Sequence, residues 1–424
     1  VTAARREVGP VDAALVTVGA MIGSGIFYTP AEVARATGST GKSLAAWALG
    51  AGLSLLGALT LAEPGAAIAE TGGLHGYLRR AFGPAAGFVF GWAMLTVLVP
   101  SSVAFYAGVT ARHLAPLVGV GERATAVALI AAVALVNVVG VRAAARAQSV
   151  TASIKFLGVA AVAVAALTVD APADAMVARP AAGSVIAAMV PALWAYDGWI
   201  DITSIAGEVR DPARTIPRAL VLGTLAVAGV YLTVALGYHH ALGTAGLAAA
   251  DAPGNALGAR VGGAAGMRAV GALVAVSCLG GCMIGMLTGT RVVAALGDDG
   301  GLLRGLAARG PAGTPDRAIA ATAALAMAYG ASTRLGRLAE VFVVGAWPFY
   351  ALGALAVIVL RRREPALPRP YRVPGYPWTP LVFFAATLGM LGSFARNAPW
   401  LVAASAGIIA LGLPVYALGR RLGR

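Results

Sequence analysis

Runs of about twenty apolar residues recur from one end of this 424-residue chain to the other, about twelve in all, each long enough to cross a bilayer. Hydrocarbon offers backbone N–H and C=O groups no partner, so such runs must be helices that satisfy those groups internally. With 59% apolar residues, 12% charged residues and a mean hydropathy of +0.80, an ordinary soluble multidomain protein is excluded. The spans cover approximately 8–36, 42–68, 83–111, 124–140, 149–169, 183–207, 214–238, 265–296, 315–330, 337–360, 378–394 and 398–418. No soluble domain interrupts them, and residues 1–424 read as one all-α membrane domain.

Two of these spans are broken in the middle. One break falls at Ile22, Gly23, Ser24, Gly25 and Ile26, the other at Trp194, Ala195, Tyr196, Asp197, Gly198 and Trp199. A break at membrane depth survives only where it lines a cavity or a ligand. Broken helices at matching positions of two halves point to a transport site near the bilayer midplane. In the first break, Gly23 and Gly25 free the backbone, and amide donors with the positive end of the half-helix beginning near Ile26 suit a carboxylate. Alone, the glycine pair serves tight packing equally well. In the second break, the carbonyls of Trp194, Ala195 and Tyr196 are left at a helix C-terminus, which attracts a cation. Donors for a carboxylate beside acceptors for an ammonium match the head of an amino acid. Trp194 is read as a lid.

The net charge of +14 invites a nucleic-acid reading, but 21 of the 32 Lys and Arg fall in segments on one face if the N-terminus is cytoplasmic. That is the positive-inside bias. It predicts both termini inside, with Arg5, Arg6, Arg420, Arg421 and Arg424, and reads Arg361 to Arg363 as a solvated headgroup anchor. Cys278 and Cys282, four apart on one face, read as small core residues, not as a metal pair or disulfide. The first segment is not read as a cleaved signal peptide. Residues 239–264, with His239, His240 and Pro253, are expected as an external hairpin or short helix with surface histidines.

The strings VGAMIGSGIFYTPAEVARATG, ETGGLHGYLRRAFG, LWAYDGWIDITSIAGEVRDPARTIPRAL and RPYRVPGYPWTP, in this order along the chain, resemble the amino acid, polyamine and organocation superfamily, nearest its L-amino acid transporter branch. The resemblance implies two inverted repeats of five helices, at about 8–170 and 183–330, plus two further helices over about 337–418, with helices one and six unwound. It implies carboxylate binding at Gly23, Ser24 and Gly25, flanked by Ile22 and Ile26. Amino-group binding falls at the carbonyls of Trp194, Ala195, Tyr196 and Asp197, before Gly198, with Trp194 as the gate.

Lys155 stands apart: the chain uses 30 Arg and only 2 Lys, yet the basic residue deep in a span is Lys. An ammonium can lose its proton where a guanidinium stays charged. The resemblance implies that Lys155 stands where sodium-coupled relatives bind the ion, so sodium is not expected, and that it bridges Gly19 to Ser277 as a fixed cation or a titrating group. Asp201 either lines a vestibule or caps the following half-helix, and Glu63 precedes Pro64. Glu208, Arg210, Asp211 and Arg214 form either part of an inner gate or a solvated cluster. The eighth helix carries Gly280 and Gly281 without an acid, against a dedicated dicationic substrate.

The resulting expectation is a sodium-independent transporter of neutral L-amino acids in a bacterial inner membrane, an exchanger or a proton-coupled symporter. A polyamine or amine permease and a transport-inactive amino acid sensor are the alternatives. An enzyme is not expected, since HExxH and P-loop patterns are missing. Neither are a cofactor, a metal, a nucleic acid, or a disulfide-linked heavy subunit, because the loop between the third and fourth spans has no cysteine.

Overall fold

The computed structural model describes residues 6–172, 183–298, 301–332 and 335–422. Arg5 and Arg424, two of the charges counted above, lie outside these residues. The first break separates α1 (Pro10–Met21) from α2 (Gly25–Thr37), and the two are bent by 43°. Then follow α3 (Thr40–Ala67), α4 (Leu74–Phe82), α5 (Pro84–Ala93), a π-helical turn (Met94–Leu98), α6 (Val99–Val118), α7 (Glu122–Val139) and α8 (Val141–Ala166). The second break lies between α9 (Val185–Tyr196) and a 3₁₀ segment (Trp199–Glu208). The chain continues through α10 (Pro212–Ala249), α11 (Pro253–Asp298), α12 (Asp316–Ser332), α13 (Leu335–Arg363), α14 (Trp378–Asn397), α15 (Pro399–Ala410) and α16 (Gly412–Leu422).

By length and composition ten helical segments can cross a membrane among the described residues, and eleven with α1 and α2 as one broken span. Helix α12, at 17 residues, corresponds to the remaining expected span. Local chemistry marks the helix ends. Ser39 and Ser184 cap α3 and α9 with their hydroxyls, Pro10 and Pro212 open α1 and α10, and Gly38 closes α2 in a left-handed conformation at φ 61°. Helices α1, α3 and α8 pack on α10, α6 and α8 pack on α11, and α9 packs on α2 and α3.

At the face where α1 begins, the chain entering α1 is tied to the end of the second broken helix. Val8 and Val209 form an isolated parallel bridge, and the amides of Glu7 and Val8 donate to the Glu208 carbonyl at 2.9 and 3.0 Å. Three expectations change at the helix ends. Helix α10 runs through His239 and His240 before Gly243 bends it at φ 66°, so the external hairpin does not begin at these residues, and His239 is not a surface residue. His239 is buried with Nδ1 3.1 Å from Thr244 Oγ1, and His240 Nε2 lies 2.9 Å from the Val169 carbonyl. Arg361 is no headgroup anchor: its Nε donates to Glu63 Oε1 at 2.7 Å, Arg369 Nε lies 3.3 Å from the same atom, and the Val373 amide donates to Oε2 at 2.8 Å. Arg363 donates to the Ala81 carbonyl at 2.9 Å. A carboxylate buried at the end of α3 needs these donors, which spacing along the chain does not reveal. Glu208 is buried rather than solvated, paired with Arg291 across 3.4 Å.

Candidate functional site

The two breaks lie against each other. A Cβ added at Gly25 would fall 2.7 Å from Ala195 Cα, and one at Gly198 would fall 2.7 Å from the backbone of Ala20. Gly198 also holds φ +101°, a conformation that side chains resist. Glycine at both positions therefore allows backbone-to-backbone approach at the point where both helices unwind.

Unwinding frees four carbonyls of the first helix, and three side chains from other helices take them. Lys155 Nζ donates to the Gly19 carbonyl at 2.8 Å and the Ile22 carbonyl at 2.9 Å. Ser277 Oγ lies 2.8 Å from the Gly23 carbonyl and 3.3 Å from that of Ile22. Tyr231 Oη donates to the Met21 carbonyl at 2.9 Å. Lys155 and Ser277 thus meet at Ile22, and the lysine does not bond Ser277 directly. Its stem is wholly buried, and a Cβ at Gly280 would sit 2.5 Å from its Cε. Tyr231 was not singled out from the sequence; it is one of two tyrosines in the apolar run of α10, the other being Tyr238, and that is the signal that was there.

The amides behave differently. Among the described residues no backbone carbonyl accepts from the amides of Ser24, Gly25 or Ile26, and the Ser24 carbonyl accepts from the Phe27 amide at 3.0 Å. Ser24 Oγ is buried with no oxygen or nitrogen partner. At the end of α9, the Asp197 amide takes the Trp194 carbonyl at 3.2 Å, and the carbonyls of Ala195 and Tyr196 receive no backbone amide. Unclaimed donors at the start of α2 therefore lie close to unclaimed acceptors at the end of α9.

A cavity opens beside this junction, lined by Trp194, Asp197, Gly198 and Asp201 from the second break, Tyr106 from α6, Thr288 from α11 and Tyr350 from α13. Residues 22–26 do not line it, because the Tyr106 ring packs over the first break: a Cβ at Gly23 would meet its hydroxyl at 2.7 Å, and one at Gly281 its ring at 2.9 Å. Tyr106 was missed in the sequence, where it is one aromatic among apolar neighbours. Tyr196 is buried against Trp47 and Tyr231 and points away from the cavity.

Trp194 lines this cavity and also a second, outer one, bordered by Tyr28, Glu32, Arg112 and Glu340. Its ring meets Phe105 and Phe342 edge-on at 5.7 and 5.6 Å, which makes an aromatic partition between the two spaces. Asp201 lines the inner cavity, as one of its two sequence readings had it. Cys278 and Cys282 are buried and free.

A family model described as amino acid permease matches residues 8–410. The serine/threonine exchanger SteT of Bacillus subtilis is 30% identical over 97% of this chain and 96% of its own length. The b(0,+)-type amino acid transporter 1 of Rattus norvegicus is 31% identical over 88% of this chain and 80% of its own. The Asc-type amino acid transporter 1 of Mus musculus is 28% identical over 98% and 82%.

Proposed function

Because this chain belongs to the amino acid permease family, membrane transporters rather than enzymes, we propose that it is a sodium-independent exchanger of L-amino acids, neutral ones above all, working by alternating access. The observation that carries the reading is the apposition of free amides at Ser24, Gly25 and Ile26 with free carbonyls at Ala195 and Tyr196. The amides and the α2 dipole take the substrate carboxylate, and the carbonyls at the end of α9 take its ammonium. Occupying the amides requires the Tyr106 ring to swing off Gly23, and Trp194 gates the outer side.

Sodium independence rests on Lys155. A sodium ion would need oxygen ligands at the first break, and the carbonyls of Gly19 and Ile22 already face an ammonium. Exchange, rather than net flux, is favoured by the exchanger SteT, aligned over almost all of this chain. Residues 8–170 and 183–330 serve as the two inverted repeats and 337–418 as additional helices. Both termini face the cytoplasm of a bacterium by the positive-inside bias.

Uptake of a labelled amino acid panel into proteoliposomes tests this, with and without internal amino acid, sodium and a pH gradient. Uptake that requires internal amino acid and ignores sodium is the expected result. Sodium-dependent uptake would remove the Lys155 argument. Competition by amino acid methyl esters as strong as by free amino acids would favour an amine permease, and binding without flux a sensor.

A further inference from the structure

Outside the Trp194 partition lies the larger of the two spaces, about 360 Å³ against about 70 Å³ within. Its floor is aromatic, Trp194 beside Phe105, and Val109 and Val343 give it an apolar wall. Among the described residues the charged side chains that line it are Glu32 from α2, Arg112 from α6 and Glu340 from α13. Three helices thus bring two carboxylates and one guanidinium to one concave, partly apolar space, the chemistry that orients a small polar ligand.

Glu32 and Glu340 are exposed, and their carboxylates repel each other, a repulsion that a cation between them relieves. The Arg35 guanidinium also acts on Glu32, but it donates to the carbonyls of Ala248 and Ala250 at 2.7 and 3.1 Å and does not line the cavity. Arg112 is held loosely: its Nε stands 3.9 Å from Glu122, and both side chains are more than half exposed. Thr29 points the same way from a separate observation. Thr17, Thr60, Thr224 and Thr288 each donate to the carbonyl four residues back, whereas Thr29 lines the cavity with a buried Oγ1 that has no partner. A hydroxyl buried in that way is unfavourable until a ligand meets it.

We propose that the outer cavity is a second amino acid site, in which a zwitterion is held on the Trp194 ring before the inner site takes it. The inference rests on the amino acid transport reading above and adds a stage to it. Glu32 and Glu340 take the ammonium, with Thr29 Oγ1, one turn before Glu32 on α2, as a further acceptor. Arg112 takes the carboxylate in place of Glu122, and the side chain lies on Trp194 and Phe105 against the apolar wall. Two acids against one base leave the site with one negative charge in excess, so it admits neutral amino acids and repels acidic ones. Trp194 borders both spaces, so a turn of its ring opens the way inward.

The test is equilibrium dialysis of the full chain in nanodiscs, with labelled L-serine, a small neutral amino acid, as the probe. Wild-type protein is expected to bind two serines at saturation and Arg112→Gln/Glu340→Gln, whose replaced side chains are exposed, only one. Glutamate should fail to displace the second serine. In proteoliposomes with uniformly oriented protein, the double variant should raise the KM for external serine by about tenfold, the lower end for losing a hydrogen bond to a charged group. The KM for internal serine should stay within twofold, a sidedness that a general structural defect does not produce. Wild-type protein that binds one serine would overturn the proposal and leave the transport reading standing. A double variant that still binds two, displacement of the second serine by glutamate, or an external KM that does not rise would overturn it as well. Wild-type protein that binds no amino acid at all would instead remove the reading on which the proposal rests.

Discussion

Replacing Lys155 by Ala tests the link between the broken helix and its surroundings most directly. The ammonium is wholly buried and makes two charge-assisted hydrogen bonds, to Gly19 at 2.8 Å and Ile22 at 2.9 Å. After truncation Ile22 keeps the weaker Ser277 contact at 3.3 Å, whereas the Gly19 carbonyl loses its partner, because the Gly23 amide has turned to Met21. An orphaned buried carbonyl costs about 1–3 kcal/mol. The lost packing of a buried four-carbon stem adds about 2 kcal/mol at its lower end. Relief of the ammonium's desolvation offsets part of this, leaving a net loss of about 2–4 kcal/mol. Arginine should not rescue, because the space at Gly280 is already closed around Cε and the guanidinium is planar and wider. Thermal unfolding in detergent and proteoliposome uptake, measured on the same preparations, should both fall, uptake by tenfold or more. A Lys155→Ala protein with wild-type melting and uptake within twofold of wild type would refute the claim that this ammonium holds the first break.

Glu208→Gln strands the buried Arg291 guanidinium and should cost about 3–5 kcal/mol, with Glu208→Gln/Arg291→Met recovering most of it in a denaturation cycle. Equal stability of the single variant and the wild type would show that the pair is not coupled. Gly198→Ala should abolish uptake, because φ +101° and the 2.7 Å approach to Ala20 leave no room for a methyl group; retained uptake would mean that the two breaks separate freely. Outside the membrane, the Arg80 guanidinium holds the Glu364 carboxyl below its usual value of 4.5. A depressed carboxylate contributes stability above its unfolded pKa and loses it as pH falls through the folded one, so this contribution fades below about pH 4.5. Both side chains are about a third exposed, so the contribution stays under about 1 kcal/mol and is screened by salt. A Glu364→Gln protein whose melting falls with acid as steeply as the wild type would show that the pair carries none of it.

Long apolar runs state their own secondary structure, because a bilayer leaves the backbone no alternative to the helix, and they made the order of spans readable. The breaks were readable for the same reason. Gly23, Gly25 and Gly198 stand where a helix at that depth would otherwise continue, and a lone Lys in a chain that prefers Arg drew attention to position 155. The positions of His239 and Arg361 were misread, because a polar residue near a helix end has the same local sequence whether it faces water or a buried partner.

Helix identity, the location of both breaks and the polarity of their exposed backbone groups were thus determined by the sequence alone, since they depend on neighbours along the chain. What only the tertiary structure decided is which distant groups meet. Tyr231 and Ser277 arrive at the freed carbonyls from α10 and α11, Tyr106 covers Gly23, Glu208 finds Arg291, and Asp201 lines a cavity together with Asp197. Apolar helices look alike to one another from the side, and their pairing and rotation are set by close packing of small residues and by the partners that buried polar groups must find.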